Sequence, residues 1–330
     1  MSDNMNSWGK LFRVSLWGES HGEQVGVSID GVPAGIALCT EDFEADLARR
    51  RAGSRGTTPR SESDLPHIVS GIFEGKTTGA PLTIIFLNEN TRSADYSSLK
   101  RHPRPSHADF VAQQKYNGCN DYRGGGHFSG RLTLALVAAG VVAKKILGGE
   151  VSFHTEITSI GGTTDKEQFT HIIEQAIAEC DSVGGVVECR VEGIGIGLGE
   201  PFFDSAESLI AHLLFSVPAI KGVEFGSGFR SAAMRGSEHN DCITDSKGTT
   251  LTNHAGGIVG GITNGNELVV RAAVKPTASI AKEQMTYNFS SGNVEPLTIK
   301  GRHDACISLR AAVVIEAAVA IALAELKLRQ

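Results

Sequence analysis

Residues 18–22 read Gly18-Glu19-Ser20-His21-Gly22 and have strand-like sequence on both sides. Residues 10–17 place Leu11, Phe12, Val14, Leu16 and Trp17 in a short apolar-rich run. After the corner, Val25-Gly26-Val27-Ser28-Ile29 reads as a second strand, and Asp30-Gly31 marks a turn. A glycine-bounded corner between two strands is therefore predicted. It would hold Ser20 and His21 where backbone N–H groups and two side chains can converge on a ligand.

The same five residues satisfy Gly-x-Ser-x-Gly, the pattern of a hydrolase nucleophile elbow. That elbow needs a helix after the serine, and here a strand follows. A serine hydrolase using Ser20 is thus the second reading. A plain turn with a surface histidine is the commoner arrangement a priori, so other stretches have to raise the functional reading.

Composition narrows the classes. The chain has 330 residues, 41% hydrophobic and 21% charged, which suits a globular enzyme with a large core. Its 37 acidic and 31 basic residues leave a net charge of −6, so no global attraction to nucleic acid or to an anionic membrane is expected. Six cysteines lie scattered without a Cys-x-x-Cys pair and read as reduced thiols in a cytoplasmic protein, with no metal site. The first ten residues are polar, so no signal peptide is expected. The apolar run 311–324 is interrupted by Glu316 and is too short to span a bilayer.

Along the chain, Thr40 reads as the N-cap of a helix that carries acids in its first turn and Arg49, Arg50 and Arg51 in its last. Three arginines, followed by Arg55 and Arg60 in the polar loop 53–64, exceed what a helix dipole asks for and suggest an anion site. Strands are predicted at 68–70 and 82–86. A basic loop follows at 88–105, then Ser106 as the N-cap of a helix through 116. Asp121-Tyr122-Arg123-Gly124-Gly125-Gly126-His127-Phe128-Ser129-Gly130-Arg131 feeds an apolar helix over 132–147, leaving backbone N–H groups free beside two arginines.

A strand–helix–strand unit over 150–192 is predicted next, with its helix at 165–179. A helix at 205–215 and a strand within 217–225 follow. The polar, glycine-rich segment 236–261 reads as a lid or an irregular site loop. A strand at 268–274 and a last helix at 305–327 complete the pattern. The alternation lacks a strict βαβ series, so the expected class is an α+β sandwich in one large domain. The two Arg/Gly-rich loops that feed long alanine-rich helices, at 123–147 and 300–327, suggest one shared central layer.

No Walker loop, dinucleotide fingerprint or metal-ligand spacing occurs. What remains is a set of loops rich in Arg, Lys, His, Gly and Ser, pointing to a pocket for a polyanion such as a phosphorylated carboxylate or a flavin phosphate. A non-catalytic flavin- or phosphate-binding protein would show the same loops.

Three long stretches then carry a resemblance. Gly18–Gly22 continuing to Asp30-Gly31-Val32-Pro33, Gly126-His127-Phe128-Ser129-Gly130-Arg131-Leu132-Thr133, and Arg302-His303-Asp304 followed by Glu316 resemble, in order, the signatures of the chorismate synthase family. Arg49–Arg51, 121–126, His254-Ala255-Gly256-Gly257-Ile258 and 275–279 agree as well, so the resemblance covers residues 9–328.

It implies a β-α-β sandwich, usually a homotetramer. The implied reaction is trans-1,4 elimination of phosphate from 5-enolpyruvylshikimate 3-phosphate to give chorismate, with reduced FMN required. This is the last step of the shikimate pathway. By resemblance, His21 assists phosphate departure, His107 manages flavin protonation, and Asp304 helps the flavin take the ring proton. His127, Phe128, Ser129, Pro218, Ala219, Gly260, Lys275, Pro276, Thr277, Ala278, Ser279 and Arg302 would line the flavin. Arg50 and Arg55 match arginines that bind anionic groups of the substrate, a position also assigned in the family to NADPH. With no dinucleotide fingerprint, the reduced FMN is expected from an external flavin reductase.

The chain departs from the family pattern at three places. Ser106 stands where many members have Gly, His127-Phe128 replaces a more usual Arg-Ser pair, and 147–182 is shorter.

Overall fold

Two antiparallel sheets face each other across a layer of helices. The computed structural model describes residues 6–60, 62–91, 93–301 and 303–330, and at 93–95 and 97 the backbone alone. The first sheet contains β1 (Ser7–Trp8), β2 (Arg13–Gly18), β3 (Gln24–Asp30), β4 (His67–Ser70) and β5 (Leu82–Leu87), ordered β1-β2-β3-β5-β4. The second contains β6 (Ser152–Ile160), β7 (Gly185–Glu192), β8 (Ile220–Phe225) and β9 (Leu268–Val274), ordered β8-β9-β7-β6. Alternation sets the faces: Val25, Val27 and Ile29 point into the core, and Leu82, Ile84 and Phe86 do the same one strand over.

The longer α-helices are α1 (Glu44–Arg50), α2 (Asp109–Lys115), α3 (Thr133–Leu147), α4 (Phe169–Ala178), α5 (Ala206–Ser216) and α6 (Ser308–Arg329). Helix α3 lies on β3 and β5, α6 lies on β6 and β7, and α3 packs directly on α6, so the section reads sheet, two helices, sheet. The shared central layer suggested by the two loop-to-helix units is this pair. A helix apolar on all sides must be buried on all sides, and α6 from Val313 to Leu326 is. Small residues let the two axes approach: a methyl added at Gly140 would overlap Ala317. One apolar cluster runs from Phe12 and Val27 through both helices to Val187 and Val270.

A charged group sits inside this layer. Glu316, 2% exposed, takes both Arg49 nitrogens at 2.7 Å and Lys144 at 2.5 Å. Burial would raise the Glu316 pKa, but Arg49 and Lys144 outweigh it and hold the group at about 2. The arginine at the end of α1 thus serves packing as well as the helix dipole.

Several boundaries differ from expectation. A 3₁₀ turn at Thr40–Phe43 precedes α1, and Asp42 accepts the Cys39 N–H at 2.9 Å, so the cap lies at Cys39 and not at Thr40. Ser106 is not an N-cap: it adopts φ +57°, and α2 begins at Asp109. The final helix starts at Ser308, three residues later than predicted. A hairpin, β10 (Gln284–Asn288) with β11 (Asn293–Leu297), was not legible, because its exposed strands carry little apolar alternation.

Candidate active site

The corner 18–22 is shaped by what it touches. Gly18 has φ +95°, and a side chain there would strike the Gln24 carbonyl. Ser20 N–H donates to the Gly126 carbonyl at 3.1 Å, joining the corner to the glycine run. Gly124, Gly125 and Gly126 have φ +60°, +85° and +55°, a conformation that only glycine adopts cheaply three times in succession. A methyl at Gly124 would lie 2.5 Å from the His21 ring and 2.8 Å from Ser20 Oγ, so the two glycine-rich stretches fit only each other. His21 also meets Tyr96 edge-on at 5.2 Å.

Ser20 is buried, and its Oγ accepts from Arg60 Nη1 at 3.2 Å while Arg60 is held by Glu62 at 2.7 Å. It lies between two antiparallel strands, not at a strand-to-helix junction, so the nucleophile elbow is absent. The serine hydrolase reading falls on this geometry.

Across from the corner stands His107. Its Nδ1 lies 2.7 Å from Asp109 Oδ1 and 3.1 Å from Arg104 Nη2. Arg104 grips both Asp109 oxygens at 2.7 Å and donates to Ser279 Oγ at 2.8 Å, which fixes the 275–279 loop. Lys275 ties the other end of that loop to the Ser106 carbonyl at 2.8 Å. Burial pushes the His107 pKa down, opposed by Asp109 and reinforced by Arg104. Burial would raise that of Asp109, but the Arg104 and His107 hydrogen bonds win and hold it well below the usual carboxylate range.

A third cluster lies at the start of α6. Asp304 pairs with Arg310 at 3.2 Å. Arg50, 2% exposed, donates to Thr133 Oγ1 at 3.1 Å and to the Gly130 carbonyl at 2.8 Å. Asp64 pairs with Arg131 and stands 3.6 Å from Arg50. Burial first, then the neighbouring Arg310 charge, push the Arg50 pKa well down despite Asp64. These cations are crowded and short of counter-charge.

The three clusters border one cavity of about 800 Å³. Its described lining holds six arginines and two lysines against three carboxylates, inside a chain whose net charge is −6. Part of the remaining wall is apolar, with Phe128, Leu136, Val217 and Pro218.

Most of the expected residues meet here: Arg50, His107, His127, Phe128, Ser129, Pro218, Ala219, Lys275, Pro276, Thr277, Ala278, Ser279 and Asp304 all line it. His21 stands just behind the wall formed by Ser20 and Gly124. Two do not arrive. Arg55 is exposed and pairs with Glu174 at 3.0 Å. Gly260 lies in the exposed turn between Ile258–Val259 and Ile262–Thr263. Arg302 lies outside the described residues. Segment 236–261 contributes nothing to the lining: Asp241 folds it on itself through Thr252, His254 and Ala255, so the structure supports neither lid nor site loop there. His127 is committed as a strut, with Nδ1 2.8 Å from the Gly18 carbonyl and Nε2 3.1 Å from Asn6.

Glu62, Asp64, Tyr96, His303 and Arg310 also line the cavity, and none of them was given a role from sequence. Arg310 carried a usable signal. A cation in the first turn of a helix opposes the dipole and implies another reason for being there.

Comparison with known proteins places the whole chain in one family. The sequence model of the family described as chorismate synthase matches residues 12–328. A chorismate synthase of Chitinophaga pinensis is 64% identical over 324 residues, covering 98% of this chain and 97% of that protein. One of Methanosarcina mazei is 44% identical over an alignment of 352 positions, covering 98% and 96%. A crystal structure of chorismate synthase superimposes with a TM-score of 0.75 at 28% identity, over 98% of this chain and 93% of that one. Matched over nearly its whole length by the family model and by these relatives, the chain belongs to the chorismate synthase family of carbon–oxygen lyases.

Proposed function

We propose that the chain, working as one domain, converts 5-enolpyruvylshikimate 3-phosphate to chorismate and phosphate by trans-1,4 elimination with reduced FMN. We place it in the cytoplasm as a homotetramer. The carrying observation is the excess of cations around one partly apolar cavity, with Arg50 buried beside Arg310 and Arg131. A substrate with one phosphate and two carboxylates supplies the missing negative charge.

The wall also suits reduced FMN. Phe128, Val217 and Pro218 offer an apolar face to a flat ring. Thr277 Oγ1 and His303 Nε2 are buried there without hydrogen-bond partners, as polar atoms awaiting a ligand would be. The volume lies toward the upper end of ordinary ligand sites, roughly 300–1,000 Å³, and leaves room for a second molecule. When bound, reduced FMN supplies an electron that the elimination returns.

The chain's own residues hold and move protons. The arginines fix the carboxylates and neutralise charge on the departing phosphate. His21, just behind the Ser20 and Gly124 wall, would reach that phosphate by a side-chain or loop movement and donate to it as the C–O bond breaks. His107, in the cavity wall, holds the proton balance at Nε2, and Asp304 takes part in removing the ring proton. Arg55 and Gly260, placed outside the cavity of one chain, would need a neighbouring copy or a loop movement to act.

An anaerobic assay with this protein alone tests the reading. One mixture holds substrate and chemically reduced FMN, the other substrate, oxidised FMN and NADPH. Chorismate is expected in the first only. None in the first would overturn the elimination, and sustained turnover in the second would overturn the external reductant.

A further inference from the structure

We propose that Asp109 and Arg104 act as a paired positioning device for His107, fixing its proton on Nδ1 so that Nε2 alone exchanges a proton with the cavity. This rests on the catalytic role proposed above for His107.

Three groups crowd His107 Nδ1: Asp109 Oδ1 at 2.7 Å, Arg104 Nη2 at 3.1 Å and the Asp109 N–H at 3.2 Å. One nitrogen cannot donate to the first and accept from the other two. A bare nitrogen lone pair 2.7 Å from a carboxylate oxygen would be repelled, so the shortest contact places the proton on Nδ1. The opposite edge of the ring, Cε1 and Nε2, faces Gly125, where an added methyl would lie 3.5 Å away. His107 is one of the residues that line the cavity, and with Nδ1 engaged Nε2 is the ring nitrogen left to exchange a proton there.

Arg104 completes the device. It grips Asp109 through Nε to Oδ2 and Nη2 to Oδ1, each at 2.7 Å, and both side chains are more than nine-tenths buried. An isolated buried carboxylate beside the ring would hold His107 as a permanent imidazolium, unable to accept a proton. The Arg104 charge offsets Asp109, with Lys275 and His303 as the other titratable groups facing this cluster. Burial with Arg104 and Lys275 lowers the His107 pKa more than Asp109 raises it, which agrees with a ring neutral at rest.

Arg104 also donates to Ser279 Oγ at 2.8 Å, so the same side chain sets both His107 and the 275–279 loop.

The test begins on the wild-type protein with 15N-labelled histidine. The His107 signals are identified by their loss in His107→Ala. At neutral pH they should report the Nδ1–H tautomer, and an Nε2–H tautomer would overturn the proposal whether or not any variant folds.

In Asp109→Asn, the amide can keep its oxygen on Arg104 and turn its NH₂ toward Nδ1. The tautomer should then switch to Nε2–H, with kcat falling roughly a hundredfold to ten-thousandfold and KM staying within about threefold. A folded Asp109→Asn protein with wild-type tautomer and kcat would also overturn it. Wild-type turnover in His107→Ala would instead remove the catalytic role of His107, while the tautomer measurement still decides what Asp109 does.

Discussion

Asp304 Oδ1 accepts the Thr58 backbone N–H at 2.9 Å, so a residue just ahead of the predicted last helix fastens the 53–64 loop. Helix α6 starts four residues later, with Ile307 in the cap position. A carboxylate was not needed to cap this helix, which leaves its charge for Arg310 and the cavity.

Asn at 304 keeps an oxygen for Thr58 but loses the charge and one of the two oxygens that face Arg310. Asp304→Asn should therefore melt within a few degrees of wild type while chorismate formation falls about a hundredfold or more, the usual scale for a proton-handling group. A variant with wild-type turnover would confine Asp304 to its structural bond.

Ser106 occupies the left-handed region at φ +57°, where an L side chain costs roughly 1–2 kcal/mol. Ser106→Gly removes that cost and loses part of the gain to a freer unfolded chain. The urea midpoint should rise by an amount equivalent to about 0.5–1 kcal/mol. The Lys275 contact should survive, because it is made to the backbone carbonyl.

His303 is held at about 4, below its ordinary 6.5, by burial first and then by Arg104. As pH falls through 6.5 the unfolded chain takes up a proton that the folded chain refuses. Stability should therefore drop from about pH 6.5 to about pH 4 and level off below, as far as this group is concerned. His303→Gln should flatten that part of a plot of denaturation midpoint against pH, and an unchanged slope would assign it to other groups.

Glu325, fully buried, accepts the N–H groups of Lys10 at 3.0 Å, Leu11 at 3.0 Å and Phe12 at 2.6 Å, and pairs with Arg329 at 2.8 Å. It clamps the approach to β2 onto α6. Glu325→Ala strands three donors and should cost about 3 kcal/mol or more in chemical denaturation. At substrate and reduced-FMN saturation and below the variant's melting temperature, kcat should change little, since Glu325 does not line the cavity.

Local sequence determined much of this protein. Alternating apolar residues in 25–29 and 82–86 could only be buried strands, and the alanine-rich runs ending at 147 and 327 could only be packed helices. The glycine runs and the three signature stretches named the family and part of the cavity wall, because both depend on residue type at short spacing.

Tertiary structure decided what depends on distance across the chain. Of the carboxylates that partner cavity arginines, Asp64 and Asp304 come from loops and Asp109 from the first turn of α2, and no spacing links Asp64 to Arg131 or Glu316 to Arg49. Two neighbouring arginines show the same limit. Arg50 is drawn inside because Gly130 and Thr133 offer it oxygens, whereas Arg55, five residues on, finds Glu174 at the surface. For these two, which cation faces the cavity is set by the acceptors that folding brings to it, and those acceptors lie 80 residues or more away along the chain.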